Sequence, residues 1–472
     1  MEDHESKISV TITGEHKENA PYDESTISPQ EERKLIREAD WRLLPCLTLL
    51  YALSFIDRTS ISNARIVGMT EDLDLYGNRY NIVLMVFFIT YTIFEIPSNT
   101  IIRRIGVSRY LTTLIVCWGV VAMCFGFVNT FAQMCGLRVL LGLFESGFNP
   151  AALYLISSWY KRYEVQKRVA FWFIGGAFMS GFNGIICYGL SEMEGVGGVR
   201  GWRWIFIIPG IVTIILAVPF YIFVSDFPEK AKWLDSTQRA FMQRRLFEDR
   251  GEELEKLQRK HLIEACKDWK VWMMGSLMGF PTAGGYTMAF FAPSILRGLG
   301  YSVAASQCLA TPPYVAAAIC SVGIAWWADK IKRRAPFIIG LCLLVIVGFL
   351  LIGWGPNNGS RLVGIFFGVI GNFCAIPTAI AFLMNNTPGA AKRQIAIPIQ
   401  TTMGGIGGVI GAVVFRAQDA PTFRPGLYAS FTCMAITIGF TLFLTFIFKR
   451  ANRRADEEGV VLEGVEGFRY TL

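Results

Sequence analysis

Twelve apolar runs of about twenty residues recur along this 472-residue chain, and they constrain its fold more than any other feature. A helix rises 1.5 Å per residue, so each run matches a hydrocarbon core of about 30 Å. The runs are Leu43–Asn63, Tyr80–Thr100, Leu111–Asn129, Gln133–Tyr160, Val169–Leu190, Trp204–Ser225, Val271–Leu296, Val303–Trp327, Pro336–Trp354, Val363–Met384, Ile395–Phe415 and Gly426–Phe448. Composition agrees: 53% of the residues are hydrophobic, 17% are charged and the mean hydropathy is +0.40. Soluble domains carry about 25% charged residues. The chain is therefore expected to be an all-α membrane protein with twelve transmembrane helices, the lipid bilayer being its main partner.

The net charge of +8 does not imply nucleic acid, because the basic residues form short clusters between apolar runs and not one solvated patch. The clusters are Arg103-Arg104, Lys161-Arg162 with Lys167-Arg168, Lys332-Arg333-Arg334, Lys392-Arg393 and Lys449-Arg450. They follow the second, fourth, eighth, tenth and twelfth runs. The positive-inside rule then assigns those loops, the middle loop and both termini to the cytosol. The first forty residues are polar and acidic and lack the apolar core of a cleavable signal, so they read as a disordered tail. Six runs precede and six follow a polar segment from Asp226 to Trp269. The expected parts are a tail at 1–40, a six-helix bundle at 41–225, a cytosolic amphipathic linker at 226–270, a second six-helix bundle at 271–449 and a tail at 450–472. Duplicated halves of this kind place a substrate at their interface near the bilayer midplane.

Charges inside the runs carry the chemistry. An ionisable group at bilayer depth costs about 3 kcal/mol or more, so it normally faces a cavity, has a partner and marks a substrate or proton path. Asp57, Glu95 and Glu145 are the carboxylates within the runs, and all three lie in the first half. Arg58 neighbours Asp57, and Arg138 precedes Glu145 by seven residues on the same helical face, about 10 Å apart along the axis. Gly142, Gly147 and Pro150 admit close neighbours or a kink there. Desolvation raises a carboxylate's proton affinity and a nearby arginine lowers it, so motion of Arg138 relative to Glu145 would switch protonation. An arginine also receives carboxylates bidentately, which makes Arg58 a candidate anion contact. The alternative is a structural ion pair at the end of the first helix. Glu95 lies near one end of its run and reads equally as a structural gate.

Several function classes are disfavoured. His4, His16 and His261 lie in the tail and middle loop, so no histidine relay crosses the membrane. The eleven cysteines form no CxxC and sit mostly in apolar runs, which predicts neither metal site nor disulfide framework. No phosphate-binding P-loop exists, which points to an ion gradient as the driving force. No cofactor and no enzymatic activity are expected. Gly176, Ser180 and Gly184 in the fifth run recur every four positions, as do Gly404 with Gly408 and Gly407 with Gly411 in the eleventh, a spacing read as helix packing before substrate contact. Trp202, Arg203 and Trp204 resemble an interfacial anchor. The sequon at Asn358 falls in a short loop hugging the membrane, which argues against glycosylation.

The segment count, the paired basic loops and the R-x-x-x-G motif from Arg138 to Gly142 resemble the major facilitator superfamily. The strings LSFIDRTSISNAR, YTIFEIPSNTIIRRIG, LRVLLGLFESGFNPAALYLISSWY, RGWRWIFIIPG, SDFPEKAKWL, WADKIKRR and FRAQDAPTFRPGLYAS resemble its fungal anion:cation symporters, the allantoate and nicotinate permease-like proteins. The likeness covers Glu31 to Arg450 and implies a major facilitator fold of two six-helix halves. It further implies proton sites at Asp57 and Glu145, an anion contact at Arg58, Arg138 as partner of Glu145, and Tyr91 as a cavity-lining residue. Asn183 and Gln400 are further substrate-binding candidates, being polar residues in packing helices. Glu95, Arg103, Arg104, Asp329, Arg333 and Arg334 are gating candidates. The loop after the second run departs from the superfamily pattern in lacking an aspartate between Pro97 and Arg103, whereas the second copy keeps Asp329. The resulting expectation is a monomeric plasma-membrane symporter of protons and a small organic anion. Its rivals are efflux of a fungal metabolite, disfavoured by the absence of proline from Ile174 to Gly184, and a nutrient sensor without transport.

Overall fold

The computed structural model describes residues 28–224, 226–250, 259–388, 390–416, 419, 423–465 and 467–472. Among them every regular element is helical. Each apolar run forms a helix or a pair of helices joined at a break. The first span is Pro29–Ala64, the second Arg79–Ile105, the third Val107–Cys124, and the fourth Phe131–Glu145 continued by Phe148–Trp159. The fifth is Arg162–Gly181 with Asn183–Ser191, and the sixth Gly201–Phe223. The second half comprises Trp269–Gly298, Val303–Leu309 with Thr311–Ile331, Ala335–Trp354, Asn358–Asn386, Ala390–Val414 and Arg424–Glu457.

Nine helices among the described residues are long and apolar enough, by length and composition, to cross a membrane. The seventh span, Trp269–Gly298, is not one of them, and its environment explains why. Every residue from Thr282 to Pro293 is buried, so this stretch is sheathed in protein and is built largely from small and aromatic residues instead of lipid-facing branched aliphatics. The first span is enclosed in the same way from Ile56 to Ala64.

The first helix begins before its apolar run. Ser28 caps it in a capping box with Glu31, and Pro29 occupies the first turn, where a missing N–H costs nothing. With an even number of spans, the two ends of the bundle chain share one face, here called the terminal face; the other is the distal face. On the terminal face the middle segment folds as two helices, Ser236–Arg250 and Arg259–Lys267. Arg245 of the first of these is buried and binds Glu32, at 2.6 Å, and Glu164. The last span runs on to Glu457, beyond its apolar run. The tail after it packs beneath the second half: the Arg334 N–H donates to the Leu472 carbonyl at 2.7 Å, Asn386 brackets Thr471, and Tyr470 stacks on Phe448 at 4.1 Å.

The halves meet through the first and seventh, second and eleventh, and fifth and eighth spans. Small residues allow this. A Cβ on Gly184 would stand 2.2 Å from the Gln307 carbonyl oxygen across the fifth–eighth contact, and one on Gly408 would meet the Phe88 ring at 2.3 Å. Gly176 packs on Tyr51, and Gly407 and Gly411 on the backbone of the seventh span, so these positions serve packing, as their spacing predicts. The side chain of Ser180 lies outside the described residues.

Candidate functional site

The polar centre of the structure is built around Arg58. Successive helical residues diverge by about 100°, so Asp57 and Arg58 meet different neighbours although they are adjacent in sequence. Arg58 Nε donates to Glu145 Oε1 at 2.7 Å, and its Nη1 donates to the Tyr286 hydroxyl at 3.0 Å. Ser54, one turn earlier, donates its hydroxyl to the same Glu145 oxygen. The guanidinium carbon lies 4.7 Å from the centroid of the Tyr91 ring, 5.5 Å from Phe87 and 5.9 Å from Phe55, and these faces favour a cation. Arg58 and Glu145 are 3% and 0% exposed. Removing one partner from such a pair typically costs 3–5 kcal/mol, because the other is left buried and uncompensated.

This geometry corrects two expectations. Glu145 is held by Arg58 and not by Arg138, and no ion pair joins Asp57 to Arg58 among the described residues. Arg138 and Glu145 stand nearly two turns apart along one helix, too far for direct contact, whereas Arg58 approaches from the first span at the right height. The fourth helix breaks after Glu145, at Ser146–Gly147. Gly142, one turn before Glu145, lets the second span come so near that a Cβ would sit 2.5 Å from the Phe87 carbonyl oxygen. Arg138 is 1% exposed and lies 5.0 Å from the Phe125 ring, and its Nε and Nη2 have no hydrogen-bond partner among the described residues. Asp57 is buried with Oδ2 likewise unpartnered. Arg58 Nη2 and Glu145 Oε2 are also free of partners, so the cluster keeps both donor and acceptor capacity for a ligand or a proton.

The remaining candidates separate into those beside the Arg58 cluster and those that tie helices together. Tyr91 belongs to the cluster: its ring faces Arg58 and its hydroxyl accepts from Asn149 Nδ2 at 2.9 Å. Glu95 is buried one turn away, with Oε2 unpartnered. Asn183 is engaged in holding the fifth span to the first, donating to Thr59 Oγ1 at 2.9 Å and accepting from Ser60 at 3.2 Å. Gln400 donates to the Ala379 carbonyl at 3.1 Å and ties the eleventh span to the tenth. Asp329 pairs with Arg334, whose backbone also receives the C-terminal tail, and Arg333 is exposed on the terminal face. The side chains of Arg103 and Arg104 lie outside the described residues.

Residue-by-residue reading missed Tyr286 and the contacts that close the distal face. Asn81 Nδ2 donates to the carbonyls of Ala412 and Phe415, each at 2.6 Å, and so caps the eleventh span from the opposite half. The Tyr80 hydroxyl reaches the Phe290 carbonyl at 3.3 Å, and Arg65 lies over the Tyr80 ring at 4.2 Å and near Phe291 at 5.7 Å. Arg65 starts a π-turn, Arg65–Met69, that ends the first span with Gly68 at φ 106°. Beside Asn183 a cavity of about 30 Å³ remains between the halves, lined by Phe55, Thr59, Asn63 and Tyr314 among others. That volume suits a water molecule and nothing much larger.

Buried charges at an interface between two helical bundles, sealed on one face, are the geometry of a carrier. The profile of the Major Facilitator Superfamily matches residues 47–412. The chain belongs to the Major Facilitator Superfamily. Among curated relatives, it is 30% identical over 446 residues to the major facilitator-type transporter hxnP of Emericella nidulans, covering 92% of this chain and 89% of that one. It is 29% identical to the high-affinity nicotinic acid transporter of Saccharomyces cerevisiae, over 95% of this chain and 84% of the other. Among solved structures, a bacterial homolog of the human lysosomal transporter Spinster, in an inward-facing and occupied conformation, superposes with a TM-score of 0.66 at 16% identity, covering 89% of this chain and 98% of the other. This major facilitator protein is a multi-pass membrane transporter and not an enzyme, and its fold is the expected pair of six-helix halves.

Proposed function

We propose that this transporter carries a small organic anion together with protons across the fungal plasma membrane, with both termini cytosolic and one chain forming the whole pathway. The observation that carries the reading is the double engagement of Arg58, with Glu145 of its own half and Tyr286 of the other. An incoming carboxylate would compete with Glu145 for the guanidinium. Glu145, left buried without its cation, would then take up a proton, because a neutral acid is far cheaper to bury than an uncompensated anion. Anion and proton would thereby load together. Asp57 supplies a second carboxylate within reach of the same electrostatics, and Arg138, whose Nε and Nη2 lack hydrogen-bond partners among the described residues, a second cation for the ligand's charge.

The halves 41–225 and 271–449 would rock as units about this centre, joined by the linker 226–270. The inter-half contacts described above lie in the distal halves of their helices, which supports access from the terminal face in this state. The relative named for nicotinic acid supports a planar carboxylate as cargo, with Tyr91, Phe55 and Tyr286 as aromatic walls. The test is uptake of labelled nicotinate, allantoate and related carboxylates by permease-deficient yeast expressing the chain, at acidic and neutral external pH. Accumulation that rises in acid and collapses with a protonophore is expected. Surface expression without uptake of any carboxylate would overturn the proposal in favour of export or sensing.

A further inference from the structure

The helical extension that precedes the first apolar run carries charges of both signs. Two of its acids are engaged, Asp40 with Arg168 at 2.5 Å and Glu32 with Arg245 at 2.6 Å, whereas Glu31 is exposed and Glu38 stands among the bases. Arg42 lies over the Trp233 ring at 4.7 Å. Lys34 and Arg37 are exposed, and neither they nor Arg42 enter an ion pair among the described residues. Lys34, Arg37 and Trp41 follow one another at spacings of three and four, so they share a helical stripe. Trp41 is 70% exposed, and it stands at the boundary between the polar extension and the apolar run that begins at Leu43.

Next to this stripe the sixth span ends at Phe223, 55% exposed. Lys34, Arg37, Glu38, Trp41, Arg42, Cys46 and Phe223 together line an open groove of about 610 Å³. Its polar end has three cations against one carboxylate. Its other end is apolar and lies on the flank that the transmembrane run presents to lipid. A single ligand chemistry matches both ends: a phosphodiester headgroup at the basic end and acyl chains along Trp41, Cys46 and Phe223. An exposed tryptophan at this height is what interfacial anchoring favours.

We propose that this groove binds one anionic glycerophospholipid of the leaflet on the terminal face, with Lys34 and Arg37 on the headgroup. The proposal rests on the transmembrane architecture and not on the identity of the cargo or on proton coupling, so either can fail alone. A basic residue near a membrane surface contributes about 1 kcal/mol towards anionic lipid, which for two residues amounts to roughly a 30-fold preference. The full chain, purified in phosphatidylcholine nanodiscs with increasing phosphatidylserine, would be examined by native mass spectrometry after release. One retained phosphatidylserine per chain is expected. In K34Q/R37Q it should be lost, and Lys34→Arg with Arg37→Lys should restore it; unchanged melting of each variant in pure phosphatidylcholine shows that folding is intact. Equal retention by wild type and K34Q/R37Q would overturn the proposal. So would displacement of the lipid by soluble glycerophosphate at equal concentration, which would reveal a free-phosphate site instead.

Discussion

Replacing Glu145 by glutamine tests the coupling directly. The substitution keeps the shape of the side chain and removes its charge, so the 2.7 Å contact with Arg58 passes from charge–charge to charge–amide. Breaking a buried ion pair costs about 3–5 kcal/mol, whereas a hydrogen bond from a charged donor to a neutral acceptor contributes about 1.5–3 kcal/mol. The arginine therefore becomes available to an anionic ligand by roughly 1.5–2 kcal/mol, a ten- to thirtyfold gain in anion affinity. Coupling moves the opposite way. One proton per monovalent anion is electroneutral, so wild-type accumulation should approach tenfold per pH unit, since 1.36 kcal/mol corresponds to one decade. Proteoliposomes with the exterior about one pH unit more acidic would be loaded with labelled carboxylate, and protein-free liposomes would correct for entry of the neutral acid. The Glu145→Gln protein should equilibrate without accumulating, yet exchange internal for external anion at least as well as wild type. Persisting pH-driven accumulation, or anion affinity that falls, would refute the role assigned to the Arg58–Glu145 pair.

The distal seal offers a second test. Asn81→Ala removes two inter-half hydrogen bonds of 2.6 Å, which at about 0.5–1.5 kcal/mol each should shift the conformational balance towards distal opening by five- to 150-fold. An impermeant thiol reagent applied from the distal side to a cysteine-depleted protein with a reporter at Ala412 would read this, and unchanged labelling would count against the seal. Gly184→Ala places a methyl 2.2 Å from the Gln307 carbonyl oxygen, so transport should fall steeply, while Gly189→Ala, with nothing within 4 Å, should not matter; equal rates for the two would refute the tight fifth–eighth contact. Glu463 in the C-terminal tail is half-buried, which pushes its carboxyl up, but hydrogen bonds from Lys270, Lys392 and Tyr470 outweigh that and hold it at about 2, below the ordinary 4.5. A depressed carboxylate contributes stability that is complete above its unfolded value and lost as pH falls towards its folded one. Glu463→Gln should thus lower the melting temperature by a constant amount between about pH 5 and 8, and a penalty that varies across that window would contradict the docked tail.

The span count and the buried charges were legible in the sequence because each depends on composition along one helix. The halves were legible because a long polar segment interrupts the apolar pattern. Partner assignments were not. Helical periodicity fixes the direction of a side chain within its own helix and says nothing about which residue of another helix stands at the same height. Arg138 and Glu145 share a face, and the nearer partner came from a different span. Tyr286 escaped notice for a related reason: in a glycine-rich run a lone tyrosine reads as packing, and its value lies in a hydroxyl aimed across the interface. Asn81 was hidden in the same way, since its acceptors are backbone carbonyls, which no side-chain pattern signals. The folded tail after Glu457 was masked by charge and glycine that ordinarily mark solvated termini.

The distribution of charge between the halves bears on how such a carrier moves. Asp57, Glu95 and Glu145 all belong to the first half, and the apolar runs of the second contain no carboxylate. The cation that compensates Glu145 belongs to the first half as well, so the ion pair rides with one rigid body. What crosses the interface at this point is a hydrogen bond from Arg58 to a neutral phenol. Separating a buried ion pair would cost about 3–5 kcal/mol at every turnover, whereas a hydrogen bond from a charged donor contributes about 1.5–3 kcal/mol. Under the proposed mechanism, a bound anion would offset the smaller cost by taking the donor that Tyr286 releases. Keeping the charges on one side of the interface would then let the halves part without exposing an uncompensated charge, and the proton state of Glu145 would answer to the ligand on Arg58 and not to the motion itself.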